Sequence, residues 1–109
     1  MKSLTKMALT SIVLFSVPSV QADDEKYFFM QYISIERSTA AITDVCYGDR
    51  RMIKEIKNSF REESKDLMVP KFYYKYDNNN EERVLKNRRF SIEDFKRDGL
   101  EIHYFDYCQ

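Results

Sequence analysis

The chain contains one histidine, His103, and this limits the catalytic and metal chemistry that it can support. A Ser-His-Asp or Cys-His site would have to be built around this imidazole, and a histidine-based metal site would have one such ligand. No G-x-S-x-G elbow is present to hold a serine nucleophile. The alternating pattern around His103 places it on the outer face of a strand. We therefore expect His103 to be a surface residue or a partner contact, and we expect the protein to bind neither a metal nor a cofactor.

Adjacent carboxylates are the other candidate catalytic groups, at Asp23-Asp24, Glu62-Glu63, Glu81-Glu82 and Glu93-Asp94. Glycoside cleavage needs two carboxyl groups about 5–10 Å apart across a cleft, one of them with a pKa raised by burial. Each acidic pair lies instead in a highly charged stretch, which is typical of a solvated helix face or turn. With only two glycines, the chain also lacks a glycine-rich phosphate loop. The sequence therefore predicts that the protein is not an enzyme.

Cys46 and Cys108 are the only cysteines. A redox-active or nucleophilic thiol would need a nearby second cysteine, as in C-x-x-C, or a basic setting. An even number of cysteines in an exported chain favours a structural disulfide instead. Such a bond restricts the unfolded chain by about 4 kcal/mol. This contribution is large for a domain of this size, which buries a modest share of its surface.

Residues 1–22 have the order of a cleavable secretion signal. Two lysines precede the uncharged apolar run Met7–Val17, whose 11 residues are fewer than the roughly 20 that a membrane span needs. Pro18 and small residues follow, so we predict cleavage after Ala22. Residues 23–109 would then be one periplasmic or secreted domain, not inserted in a membrane, with 16 bases against 18 acids.

The first half of this domain is predicted to be helical. From residue 25 to residue 46, apolar side chains recur at spacings of three and four, which indicates a helical stripe. The alternative is a strand over Tyr27–Ile35, because this stretch is rich in aromatic and β-branched residues. Asp49 is a candidate N-cap for a second helix, which Pro70 would end.

The second half is predicted to form a small antiparallel sheet. Alternating residues at 72–76 indicate a strand with one buried face. The turn at 77–80 favours a hairpin into a second strand at 82–86. A short helix at 91–98 precedes a last strand from Leu100. The fold class is therefore predicted to be α+β: two N-terminal helices, then an antiparallel sheet of about three strands with a short helix before the last, held by one disulfide.

Aromatic and basic residues of the predicted hairpin form the candidate binding surface. All eight tyrosines follow the predicted signal, and tyrosine offers a large rigid contact area at a small entropy cost. The alternative is that these rings fill the core of a small sheet. The basic cluster of Lys86, Arg88 and Arg89 with Arg83 upstream is too small a footprint for nucleic acid in a net acidic domain, so no nucleic acid is expected as a partner. The candidate partner contacts are Tyr73, Lys75, Arg83, Arg88, Arg89 and His103.

These features favour a small exported protein that binds another protein. An inhibitor or an immunity protein that blocks a toxin or a hydrolase fits the small size, the single disulfide and the tyrosine-rich strands. The first alternative is a periplasmic chaperone or stress protein that holds unfolded clients under acid conditions. The second alternative is a small hydrolase, which would need one of the carboxylates or His103.

Overall fold

The computed structural model describes residues 25–67 and 72–109. The strands are β1 (Lys26–Ser34), β2 (Thr39–Thr43), β3 (Cys46–Gly48), β4 (Phe72–Asn78) and β5 (Glu101–Phe105), and the helices are α1 (Arg50–Ser64) and α2 (Glu81–Arg97). The predicted secretion signal lies outside the described residues. Within the described part of the chain, neither helix is long and apolar enough to cross a membrane.

The five strands form one mixed sheet with β1 at its centre. On one side β1 pairs antiparallel with β4; on the other its first half pairs with β3 and its second half with β2. β5 lies outside β2 and runs parallel to it. Each face of the sheet is covered by one helix, α1 on one side and α2 on the other. The predicted order, two helices followed by an antiparallel sheet of about three strands, is therefore wrong.

The region predicted as the first helix, residues 25–46, contains β1, β2 and the start of β3. In β1, Phe28 and Met30 pack under α1, whereas Phe29 between them packs under α2. A central strand with both faces covered needs apolar side chains at successive positions. This removes the alternation by which a strand is normally identified. The alternative strand over Tyr27–Ile35 corresponds to β1.

The second predicted helix is confirmed as α1. A carboxylate oxygen of Asp49 accepts a hydrogen bond from the backbone N–H of Met52 at 3.0 Å, so Asp49 is the N-cap that the sequence predicts. Ile56 and Phe60 lie one turn apart and are buried against the sheet. The ring centroid of Phe60 is 4.9 Å from that of Tyr32 on β1. Aromatic packing therefore fixes α1 on this face.

The predicted hairpin after β4 is wrong, because the chain enters a 17-residue helix at once. The side chain of Asn80 caps α2 by accepting from the backbone N–H of Arg83 at 3.3 Å. Two glutamates in the first turn favour the positive end of the helix dipole. The predicted strand at 82–86 and the predicted short helix at 91–98 are both parts of α2. Gly99, at φ 75°, follows its end as predicted.

The C-terminal segment is held beside β3 by a covalent bond and by a buried carboxylate. The disulfide between Cys46 and Cys108 is confirmed, with a Cα–Cα distance of 5.6 Å. Asp44, which is only 4% exposed, accepts hydrogen bonds from the backbone N–H groups of Tyr107 and Cys108, each at 3.0 Å. The predicted last strand is confirmed as β5, and these contacts fix the residues that follow it.

Candidate functional site

Four cations lie close together on α2, at Arg83, Lys86, Arg88 and Arg89. No acidic residue lies between positions 83 and 89, although glutamates precede this stretch and acids follow it. With 3.6 residues per turn, Lys86 and Arg89 lie on the side of α2 away from the sheet, since Val84 is fully buried on the opposite side. The middle of α2 therefore presents a concentrated positive charge to solvent.

Two apolar side chains are exposed among these cations. Leu85 is 43% exposed and Phe90 is 50% exposed. The ammonium group of Lys86 lies 5.7 Å from the centroid of the Phe90 ring, within the range of a cation–π contact. We define the α2 surface as Arg83, Leu85, Lys86, Arg89 and Phe90. It contains two arginines and an exposed phenylalanine, residue types that are enriched in protein interfaces.

A shallow cleft lies on each side of the α2 surface. The cleft between α2 and β4 has a volume of about 340 Å³ and is lined by Tyr76, Arg83, Lys86, Asn87 and Phe90. This lining carries two cations and no carboxylate. The cleft on the other flank, of about 410 Å³, is lined by Leu85, Arg88, Arg89, Ile92, Glu93 and Lys96. The projecting Lys86 and Arg89 side chains therefore stand between two depressions that a partner side chain can enter.

Arg88 has a structural role that the sequence does not reveal. Its Nε donates a hydrogen bond to the backbone carbonyl oxygen of Thr43 at 2.7 Å. Thr43 is fully buried at the end of β2, and its hydroxyl oxygen accepts from the backbone N–H of Met30 at 2.9 Å. The half-buried guanidinium of Arg88 thus ties α2 to the sheet. Of the three predicted arginines, Arg83 and Arg89 belong to the α2 surface, whereas Arg88 supports it.

Tyr73 and Lys75 lie on the opposite face of the sheet, beside α1. The Tyr73 ring contacts the ring of Tyr32 at a centroid distance of 5.3 Å, and the Lys57 ammonium lies 4.6 Å from the Tyr73 centroid. Burial raises the pKa of Tyr73 to about 12. Lys75 pairs with Asp77 at 2.9 Å. These two predicted contacts do not join the α2 surface, because they lie on the face of the sheet that α1 covers. The prediction had joined their strand to residues 82–86 in a hairpin, and that hairpin does not form.

His103 lies on β5, two strands away from β1 and at the other edge of the sheet from β4. Its Nε2 is 3.4 Å from a carboxylate oxygen of Glu101, and its side chain is 32% exposed. The neighbouring Tyr104 is 54% exposed. The structure therefore separates His103 from every other predicted contact residue. It brings together the three arginines on α2 and, separately, Tyr73 with Lys75 on β4.

The described residues also place one group of potential metal ligands together, Asp44 with Cys46 and Cys108. Both sulfur atoms are in the disulfide, so neither is a thiolate able to bind a metal. Both carboxylate oxygens of Asp44 accept backbone hydrogen bonds. This group is therefore a structural cluster.

Three members of the α2 surface are not among the predicted partner contacts: Leu85, Lys86 and Phe90. Leu85 is the one that the sequence indicates least. The predicted strand at 82–86 did not distinguish Leu85 from its neighbours. In a single 17-residue helix, Val84 and Phe95 define the buried side, and Leu85 then falls about 100° away from Val84. The capping signal of Asn80 followed by two glutamates was the sequence feature that could have identified this helix.

Comparison with known proteins finds no matching family, no matching curated protein and no matching solved structure. The α2 surface, with its cations and exposed apolar side chains, is therefore the basis on which a function can be proposed.

Proposed function

We propose that this chain is a small exported protein without enzymatic activity that binds another protein through the α2 surface, as an inhibitor or immunity protein of a toxin or hydrolase does. The observation that carries the proposal is the combination of Arg83, Lys86 and Arg89 with the exposed Leu85 and Phe90 on one helix face. The partner would present carboxylates around an apolar depression.

The charge pattern supports a partner of this chemistry. Positions 83–89 carry four cations and no acid, and the nearest acids on the same helix face, Glu82 and Glu93, lie one turn before Lys86 and one turn after Arg89. The middle of the α2 surface therefore keeps a net positive charge. Such a patch speeds the encounter with an acidic partner and disfavours basic ones. Arginine is also common at binding hot spots, since its guanidinium can form two parallel hydrogen bonds with one carboxylate.

The apolar side chains supply the second requirement of a specific interface. Charged pairs at an exposed rim contribute little affinity by themselves, whereas a side chain that is buried in a partner pocket contributes more. Phe90 projects beside the cleft that Tyr76 and Arg83 line, and Leu85 borders the cleft on the other flank. The α2 surface thus offers two anchors that flank its central cations.

Affinity capture with matched variants tests this proposal. The exported protein is used as bait in extracts of its own cell envelope and of neighbouring cells. We expect one partner, in a 1:1 ratio, with the wild type and with the control Tyr104→Ser, which alters an exposed ring on β5. The double variant Leu85→Ser/Phe90→Ser should lose this partner.

Two results would contradict the proposal. Retention of the same partner by Leu85→Ser/Phe90→Ser would show that the interface lies elsewhere. Capture of many unrelated unfolded proteins by all three forms would favour the chaperone alternative. Circular dichroism of each variant serves as the folding control, because all three altered side chains are at least 43% exposed.

A further inference from the structure

We propose that the outer edge of β4 binds β4 of a second copy of this chain, so that two sheets join antiparallel about a two-fold axis at Tyr74. This contact uses the edge of β4 and not the α2 surface, although Tyr76 also lines the cleft beside Phe90. The test of this contact needs no other protein, so its outcome does not depend on the proposed function.

Among the residues that the structure describes, the outer edge of β4 is unpaired along its length. β4 pairs with β1 over seven consecutive residues, from Phe72 to Asn78, without a bulge. Within residues 25–67 and 72–109, no strand pairs with its other side. Every second N–H and C=O group along this edge is therefore available to another strand. Bulges and prolines, which commonly protect such edges, are absent from β4.

The exposed half of β4 is also unusually aromatic. Phe72 is 68% exposed, Tyr74 is 42% exposed and Tyr73 is 37% exposed. The one charged side chain in this half, Lys75, is paired with Asp77. On an unpaired edge strand, the side chains exposed to water are normally charged and not aromatic. These rings are what a second strand would cover.

The sequence of β4 fits itself in one register. A two-fold axis normal to the sheet pairs side chains that lie on the same face, so the axis must pass through one residue and its copy. Centred on Tyr74, Tyr73 faces Lys75 of the second copy and Phe72 faces Tyr76 of the second copy. The Lys75 ammonium beside the Tyr73 ring, the pair of Phe72 with Tyr76, and the pair of Tyr74 with its copy are all favourable contacts.

The neighbouring registers are worse. An axis at Tyr73 pairs only residues 72–74 with their copies, because β4 begins at Phe72. An axis at Lys75 places two lysines directly opposite each other, and like charges at this position destabilise a strand pair. An axis at Tyr76 uses the half-buried end of β4 and leaves Phe72 opposite Asn80, where α2 is already capped. The exposed stretch of β4, residues 72–75, is used best when Tyr74 is the centre.

Charge substitutions at this centre test the register. The exported protein with its disulfide intact is compared by analytical ultracentrifugation with Tyr74→Lys, Tyr74→Glu and an equimolar mixture of the two. Tyr104→Lys, on the opposite edge of the sheet, is the matched control. We expect dimers of the wild type and the control. Each Tyr74 variant alone should dimerise at least about tenfold more weakly, since like charges then face each other.

The mixture separates a lost interface from a lost fold. A misfolded variant would not regain a specific partner on mixing, so recovery of a mixed dimer requires that both variants are folded and that position 74 faces its copy. Three results would overturn the proposal: a monomeric wild type, an undiminished dimer of Tyr74→Lys, or no recovery in the mixture. A monomeric wild type would mean that a second copy does not cover this edge.

Discussion

Replacing Asp44 with alanine should destabilise the fold strongly, although this residue is not part of the α2 surface. Its carboxylate accepts the backbone N–H groups of Tyr107 and Cys108 at 3.0 Å, and its own backbone N–H donates to the carbonyl of Phe105. The side chain is almost fully buried. Asp44→Ala removes both carboxylate bonds and leaves two N–H groups without an acceptor.

The expected cost follows from these two bonds. A hydrogen bond to a charged group contributes about 1.5–3 kcal/mol. Tyr107 and Cys108 are near the surface, so their N–H groups can partly regain water, and we expect a total near the lower limit, about 2–4 kcal/mol. Asp44→Asn keeps one acceptor and should cost about half as much. Asp106→Ala changes an exposed carboxylate nearby and should stay within about 0.5 kcal/mol.

Urea unfolding of the oxidised protein, followed by circular dichroism, measures these differences. The same substitution should cost less in a Cys46→Ala/Cys108→Ala background, because the carboxylate and the disulfide hold the same segment and their effects are therefore not additive. An Asp44→Ala protein as stable as Asp106→Ala would refute the argument that this carboxylate holds the C-terminal segment.

Three further predictions concern stability. Arg88→Ala should lower the free energy of unfolding by about 1.5–3 kcal/mol, since it leaves the buried Thr43 carbonyl without its charged donor. The control Arg89→Ala changes an exposed side chain with the same change in helix propensity, and should have little effect on the free energy of unfolding. Equal urea midpoints for the two variants would contradict this prediction. Reduction of the Cys46–Cys108 disulfide should cost about 4 kcal/mol, given its sequence separation of 62 residues, as measured by urea unfolding with and without reductant. Burial raises the pKa of Tyr73 from 10.0 to about 12, and burial with the hydrogen bond to Glu63 raises the pKa of Tyr107. The folded state therefore holds these protons more tightly than the unfolded state does. The free energy of unfolding should be at its full value below pH 10.0 and should fall as the pH rises to about 12. A constant urea midpoint over this interval would show that folding does not raise the pKa values of these tyrosines.

The parts of the fold that local signals encode were predictable. Asp49 caps α1, Gly99 follows α2, and β4 and β5 lie where alternation predicts strands. The pairing of the two cysteines followed from their number and setting. In each case the residue type and its immediate neighbours carry the structural information.

The remaining parts depend on contacts that are distant in sequence. Phe28 and Phe29 face opposite helices, and a run of apolar residues does not distinguish a strand covered on both faces from a helix. The turn residues before Asn80 favour a hairpin and a helix N-cap alike. That one uncertainty placed Arg83 on a predicted strand and Arg89 in the segment after it, and so hid their relation to Leu85. The contact of Arg88 with Thr43 joins residues 45 positions apart, which spacing alone cannot predict.

Partner affinity after charge reversal on the α2 surface is the most direct test of the proposed binding role. Titration calorimetry with the captured partner compares wild type, Lys86→Glu/Arg89→Glu and the matched control Arg51→Glu/Lys54→Glu on the exposed side of α1. We expect the α2 variant to bind at least about tenfold more weakly and the α1 variant to stay within about twofold of wild type. Equal affinities for the two variants would contradict a binding surface on α2.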